Sequence, residues 1–216
     1  MNDKQINDAV KQLRSSEKKN FKQTIDLVFT LKDLDLKKPE NQLEFFVTLH
    51  GEKGKTSKIC AFGDADMIDN AKTSVDTVIS VAEFDKYAKD KKLAKKLSEQ
   101  HEFFIAQANI MPKVATSFGR VLGPRGKMPN PKAGCIFPPN ANLKALNEKL
   151  QKTLKISNKK GPYIQTIVGN EATGDDVIIH NVKDVFNAVV HHMPQGENNI
   201  KSVIIKYTMG KPVKLM

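Results

Sequence analysis

The sequence predicts an α/β protein of two domains, and three observations carry that prediction. Between residues 59 and 122, short β-favouring runs alternate with helical patterns, as in a parallel-rich sheet covered by helices. Just before it, Gly51 to Lys58 holds two glycines and three lysines and reads as a flexible link between segments of different character. On either side of the alternating section lie longer strands with strict inward and outward alternation, each accompanied by an amphipathic helix.

The elements follow in order. Ile6, Val10 and Leu13 make residues 3 to 14 a surface helix with one apolar stripe, and a basic turn at Lys18-Lys19 ends it. From Lys22 to Leu31, Ile25, Leu27 and Phe29 alternate with Thr24, Asp26 and Val28, which is a strand. Leu43 to Leu49 is a second strand, reached through a turn at Lys37-Lys38-Pro39. The middle section reads as strand (Ile59 to Phe62), helix (Asp66 to Lys72), strand (Thr77 to Val81), helices (Phe84 to Lys89 and Lys91 to Gln100) and strand (Phe103 to Ala106).

The stretch from Met111 to Pro131 opens as a helix. Asn109 is placed to cap it, Pro112 sits in the first turn, and Val114, Phe118 and Leu122 share one face. Gly123 and Pro124 stop it, and Gly-Pro-Arg-Gly-Lys followed by Pro-Asn-Pro is a stiff loop that presents Arg125, Lys127 and Lys132. A helix around Leu143, Leu146 and Leu150 follows. Strands at 154–157 and 163–168 flank a turn at 158–162, a long helix covers 177–193 with Asp175-Asp176 at its positive end, and a last strand runs from Ser202 to Thr208.

The 216 residues carry 35 basic against 24 acidic side chains, a net charge of +11, and the pI is near 9.5. Such a balance suits a polyanionic partner, nucleic acid above all. The sequence has no long apolar run and no signal or transit segment, so no membrane partner is expected and the cytoplasm is favoured. Cys60 and Cys135 stand alone among apolar residues and read as reduced, buried thiols.

No acid lies between Glu102 and Glu148, while Lys113, Arg120, Arg125, Lys127, Lys132 and Lys144 do, including two of the three arginines. One reading is a loop built to meet anions, since arginine offers phosphate a planar fork. The other is a structural loop whose cations neutralise helix C-termini. A P-loop is excluded by spacing, with Val121 in place of its first glycine and Met128 in place of its hydroxyl.

Asp64, Asp66 and Asp69 lack the glycine and glutamate of a calcium loop, and suit a helix start. His191 and His192 are adjacent, so on a helix they diverge and share no metal easily. Neither a catalytic-triad motif nor a dinucleotide fingerprint is present. The aromatic run of a stacking RNA-binding sheet is missing too, which leaves shape and backbone reading of folded RNA. No cofactor is implied.

Met111-Pro112 running into Leu-Gly-Pro-Arg-Gly-Lys-Met-Pro-Asn-Pro resembles the signature of the ribosomal protein L-one family, which belongs to the mobile stalk of the large subunit beside the tRNA exit site. Glu-Phe-Phe-Ile-Ala-Gln-Ala at 102–108 is similar to its archaeal branch, and Asn-Phe-Lys-Gln-Thr at 20–24 and Tyr-Thr-Met-Gly at 207–210 match further motifs in the right order. Two departures stand out: Lys211 precedes Pro212, where the family has proline directly after glycine, and 132–139 is a few residues longer.

The resemblance implies that residues 1–58 and 155–216 form one split α/β RNA-binding domain, with 59–154 inserted as a Rossmann-like domain. It implies no enzyme. It makes Phe21, Thr24, Ser202, Thr208, Met209 and Gly210 the expected RNA contacts, with Lys211 beside them. Gln23 is a weaker candidate, because it replaces an acid common in part of the family. Arg120, Arg125, Lys127 and Lys132 would form a secondary basic loop facing the stalk. The implied partners are large-subunit rRNA, the chain's own mRNA as a translational repressor, and deacylated tRNA, with the free protein a monomer. Two alternatives remain: a nucleotide-handling enzyme centred on Arg125 and Lys127, and a freestanding nucleic-acid regulator.

Overall fold

The structure is a computed structural model that describes residues 3–15, 19–38, 41–64, 74–138, 142–159 and 161–216. The elements of the first half are α1 (Asp3–Arg14), β1 (Thr24–Leu31), β2 (Glu44–Thr48), β3 (Ile59–Gly63), β4 (Thr77–Ser80), α2 (Phe84–Lys89), α3 (Lys91–Gln100) and β5 (Phe103–Gln107). The second half adds α4 (Met111–Leu122), β6 (Ile136–Phe137), α5 (Leu143–Gln151), β7 (Thr153–Ser157), β8 (Tyr163–Asn170), α6 (Asp175–His192), β9 (Ile200–Tyr207) and β10 (Val213–Lys214). The helix expected over Asp66 to Lys72, with Asp66 and Asp69, lies outside the described residues, as do Lys18, Pro39 and Lys160. The chain divides into two compact units, residues 1–56 with 152–216, and residues 57–151.

In the first unit the opening and closing segments of the chain interleave in one antiparallel sheet of order β10-β9-β1-β8. β1 is central, paired with β9 from Ile25↔Tyr207 to Thr30↔Ser202 and with β8 from Thr24↔Asn170 to Thr30↔Tyr163. β2 and β7 form a separate antiparallel pair. The alternation of β1 and β9 is what fixes their register: Ile25, Leu27, Phe29, Val203, Ile205 and Tyr207 all point into one core, and a slip of one residue would expose them. α1 contributes Ile6, Val10 and Leu13 to that core, and α6 adds Ile178, Val182, Val185 and Val189. The last turn of α1 is tied across the unit by Arg14, whose guanidinium donates to Asp175 Oδ1 at 2.9 Å and to the carbonyls of Glu171 and Thr173.

Gly51 to Lys58 is not the loose link that its glycines and lysines suggested. Gly51 N–H donates to Asn181 Oδ1 (3.1 Å), and the same amide's Nδ2 donates to the Val168 carbonyl (2.8 Å). Asn170 Nδ2 donates to the Gly54 carbonyl at 2.7 Å. Gly54 has φ +79°, and its backbone lies directly on Gly169 and Asn170. The glycines here serve close approach, not freedom.

The second unit is a parallel sheet of order β4-β3-β5-β6 with every neighbouring pair parallel, as the strand and helix alternation required. Phe62, Phe84, Phe104 and Phe118 meet in its core, with Phe118 4.7 Å from Phe62 and edge-on to Phe84 at 5.4 Å between ring centres. Cys60 and Cys135 are buried free thiols. Burial raises both above the usual thiol range, Cys135 to about 11, so at neutral pH they are small apolar fillers.

One local expectation for α4 needs correction. Asn109 does not cap it: residues 108–110 form a single tight turn, and Ile110 occupies the cap position without a side-chain bond. The helix stops where Gly123 and Pro124 were expected to stop it, at Leu122 with Gly123 as the C-cap. Lys127 N–H donates to the Leu122 carbonyl (3.0 Å) and Gly126 N–H to that of Gly123 (2.9 Å), while Gly126 takes φ +62°. That pair of reverse bonds around a left-handed glycine is a Schellman closure, and it orders the loop.

Candidate nucleic-acid interface

The ends of β1 and β9 meet in a small polar junction. Thr208 N–H donates to the Thr24 carbonyl at 3.1 Å, and the two threonine hydroxyls are 2.8 Å apart. Gln23 is buried and both ends of its amide are engaged: Oε1 accepts from Met209 N–H (3.1 Å), and Nε2 donates to Glu171 Oε1 (3.1 Å). Its placement is that of a brace which sets the path of Thr208-Met209-Gly210. Gly210 closes the turn by donating to the Tyr207 carbonyl at 3.0 Å.

Around this junction two large apolar side chains stand in solvent, Phe21 at 53% and Met209 at 69% exposure. Exposed apolar groups beside a pair of mutually bonded hydroxyls on a braced backbone make a candidate contact surface, and the register of β1 against β8 shifts at Ile25/Asp26 close by. Lys211 is exposed immediately beyond.

Ser202 is elsewhere. It sits opposite Thr30 at the far end of β9, about 20 Å along the strand from Thr208 at the usual rise per residue. What joins the two places is the sheet's outer face, where Asp26↔Lys206, Val28↔Ile204 and Thr30↔Ser202 are successive cross-strand pairs. Sequence reading missed a side chain on this face: Tyr163, paired with Thr30 on the edge strand and 44% exposed. The strand pattern marked it as outward, but only the pairing puts it across Thr30 from Ser202.

Asp26 is the acid on that face. Burial holds its carboxyl above the ordinary 3.8, against the lowering pull of Lys206. Its proton is therefore bound more tightly in the folded chain than in the unfolded one. The stability that follows is complete below pH 3.8 and is lost as pH rises through the folded value. At pH 7 the ionised group is a net cost, so Asp26→Asn is expected to raise the melting temperature at pH 7. The gain should vanish in melts below pH 3.8; an equal gain at both pH values would contradict it.

The basic loop is used differently from the anion-meeting reading. Arg125 donates to Ser98 Oγ at 2.7 Å and pairs with Glu99 at 3.1 Å. Lys127 Nζ donates to the carbonyls of Ser98 and His101, each at 2.7 Å. Both thus bind the C-terminal end of α3, where a cation is favoured by the exposed carbonyls. Burial lowers the Lys127 ammonium pKa, opposed by Glu102. The helix-neutralising alternative accounts for these two residues, whereas Arg120 and Lys132 stay exposed. Partners 26 to 29 residues away are invisible to local sequence reading.

Among the described residues no group of three His, Cys, Asp or Glu side chains is arranged to hold a metal ion. His192 stacks on Phe45 at 3.9 Å between ring centres, and its Nδ1 lies 2.8 Å from the Ala188 carbonyl. Among the described residues no helix is long and apolar enough to cross a membrane.

An interleaved antiparallel unit with an exposed hydroxyl and apolar junction, interrupted by a parallel α/β unit, defines a two-unit α/β protein whose candidate surface is a sheet face and its strand ends. A family model described as the ribosomal protein L1p/L10e family matches residues 13–211. Proteins named large ribosomal subunit protein uL1 are similar along nearly the whole chain. That of Methanothermococcus thermolithotrophicus is 42% identical over 208 residues, covering 96% of this chain and 95% of the relative. Those of Methanocaldococcus jannaschii and Thermococcus kodakarensis are each 40% identical, covering 96% of this chain and 93% and 95% of theirs. The chain belongs to the ribosomal protein L1p/L10e family, in its archaeal type, and is a structural ribosomal protein, not an enzyme.

Proposed function

We propose that the chain is a component of the large ribosomal subunit that binds folded rRNA through the unit of residues 1–56 and 152–216. The observation that carries this reading is the Thr24 and Thr208 junction, with its hydroxyls 2.8 Å apart and Phe21 and Met209 exposed beside it. Hydroxyls and main-chain groups there suit ribose and phosphate oxygens, and the two apolar side chains suit sugar and base faces. Thr30, Ser202 and Tyr163 extend the contact along the outer face of the sheet. In this reading the protein stands on the mobile stalk beside the tRNA exit site and assists release of deacylated tRNA. It also represses its own translation by binding a similar fold in its mRNA. The sequence motifs at 20–24, 111–131 and 207–210 support these finer roles, and the net charge of +11 supports an RNA partner.

The test is a variant series titrated against a stalk rRNA fragment and a random RNA of equal length. Thr208→Ala is expected to weaken binding to the fragment by up to about tenfold, the worth of one neutral hydrogen bond. Met209→Ala should act similarly without changing the salt slope, and Lys211→Ala should lower that slope by about one contact. Gly210→Val should cost more than tenfold, because any side chain there holds RNA off the backbone. The added Cβ stands 3.0 Å from Tyr207 Cβ, so circular dichroism should accompany the titration. A folded Gly210→Val protein that binds the fragment like the parent would reduce Thr208-Met209-Gly210 to an ordinary strand end.

A further inference from the structure

The densest exposed positive charge among the described residues of the unit 57–151 lies on α2 and α3. Lys86, Lys89, Lys91, Lys92, Lys95 and Lys96 are all exposed, and among the described residues none of their ammonium groups pairs with an acid. The acids near them are committed elsewhere. Asp90 caps α3 by accepting the Lys92 and Leu93 N–H groups, Glu99 pairs with Arg125, and Glu102 accepts the Ser57 hydroxyl at 2.7 Å. Glu83 accepts the Ser80 N–H at 3.3 Å, which leaves Asp85 in the first turn of α2.

On α3, Lys91 and Lys95, and likewise Lys92 and Lys96, are one turn apart, about 6 Å along the axis. Like charges at that spacing disfavour a helix. The array therefore weakens its own element, and among the described residues no ion pair to these lysines offsets it. Meanwhile Arg125 and Lys127 stabilise the far end of the same helix, so the fold uses two cations to support the element that displays four others.

We propose that the lysine face of α2 and α3 is a second RNA-binding surface, which takes the phosphate backbone of a helical RNA segment without reading its sequence. Lysines on flexible stems meet phosphates as point charges at positions that need not be fixed, which suits backbone contact and not base recognition. An anionic membrane is the poorer partner. A helix that lies on a bilayer needs a broad apolar face to insert, and that of α3, Ala94 and Leu97, is already buried in the unit's own core. The proposal rests on the RNA-binding reading above and adds to it a second surface on the other unit.

The full-length chain with Lys91, Lys92, Lys95 and Lys96 all replaced by Gln tests it. Glutamine keeps helix propensity and the sites are exposed, so the fold is expected to survive. Affinity for the stalk rRNA fragment and for a random duplex RNA is measured between about 50 and 200 mM salt. The slope of log K against log salt should become shallower by about three units for both RNAs, at 0.7 to 0.9 per lost contact. The preference for the fragment over the random duplex should stay within about twofold of the parent's. In addition, acylation of these four lysines in the parent should be suppressed by either RNA.

An unchanged slope, or lysines equally reactive with and without RNA, overturns the proposal. So does a variant that loses binding to phosphatidylserine vesicles while its RNA slope is unaltered. If instead the parent has no preference for the fragment, the reading of the Thr24 and Thr208 junction fails, and the slope comparison still decides the lysine surface.

Discussion

Gly54→Val is expected to destabilise the unit of residues 1–56 and 152–216 by about 4 kcal/mol or more, combining a strained left-handed residue with a backbone clash. At φ +79° a β-branched residue is strained on its own account. Its Cβ would also stand 2.5 Å from Asn170 N and from the Gly169 carbonyl carbon, and both are backbone atoms of β8 that cannot rotate away. Retreat of the segment would break the 2.7 Å bond from Asn170 Nδ2 to the Gly54 carbonyl. Asn170 is also the hub of the turn before α6, since its Oδ1 accepts from Ala172 N–H and Thr173 N–H. The damage should therefore spread into the sheet that carries Thr24 and Thr208. Thermal melts should show a loss of roughly 10 °C or more in this unit's transition, together with weaker rRNA binding. A melting curve like the parent's would mean that the segment can lift off β8 at little cost.

That result would also bear on what the sequence disclosed. Strands β1 and β9 were legible because a half-buried strand must alternate, and Ile25, Leu27, Phe29, Val203, Ile205 and Tyr207 do so. The parallel sheet was legible from the order of its elements. β6 and β10 were not, because each has two residues and no period can show in two. The segment 51–58 misled for a different reason. Glycine is favoured where chains are loose and also where backbones touch, and only the pinning by Asn170 and Asn181, over 100 residues away, separates the two cases.

The candidate interface was legible through motif resemblance far more than through chemistry. Thr24 and Thr208 are 184 residues apart, and no local pattern pairs their hydroxyls. Gln23 looked like a weakened contact residue, yet its amide is spent on Met209 and Glu171 inside the fold. The basic loop shows the opposite failure. Composition correctly located a concentration of positive charge, but charge alone does not reveal whether a cation faces solvent or a helix end. Arg125 and Lys127 face the end of α3, while the lysines on that helix and on α2, an ordinary solvated face by pattern, are exposed, as are Arg120 and Lys132.

Phe118→Ala separates the contributions of the two units. Phe118 is fully buried on α4, against Phe62, Phe84 and Tyr87, with ring centres 4.7 to 5.4 Å away. Truncating such a side chain costs about 3 to 5 kcal/mol, and the lost aromatic pairs contribute to that figure. Against a usual total of 5 to 15 kcal/mol, this is enough to unfold or loosen the unit of residues 57–151 near physiological temperature. The other unit draws its core from α1, α6 and the β1 and β9 sheet and has no part in this cluster. Two thermal transitions are expected, with only one of them lowered. Above that lowered transition the variant should still prefer the stalk rRNA fragment over random RNA, because the Thr24 and Thr208 junction is intact. Its salt slope should nonetheless be shallower than the parent's, because α2 and α3 no longer hold their lysines in place. If the preference for the fragment disappears together with the folding of residues 57–151, specificity belongs to that unit and the proposed interface is on the wrong half of the molecule.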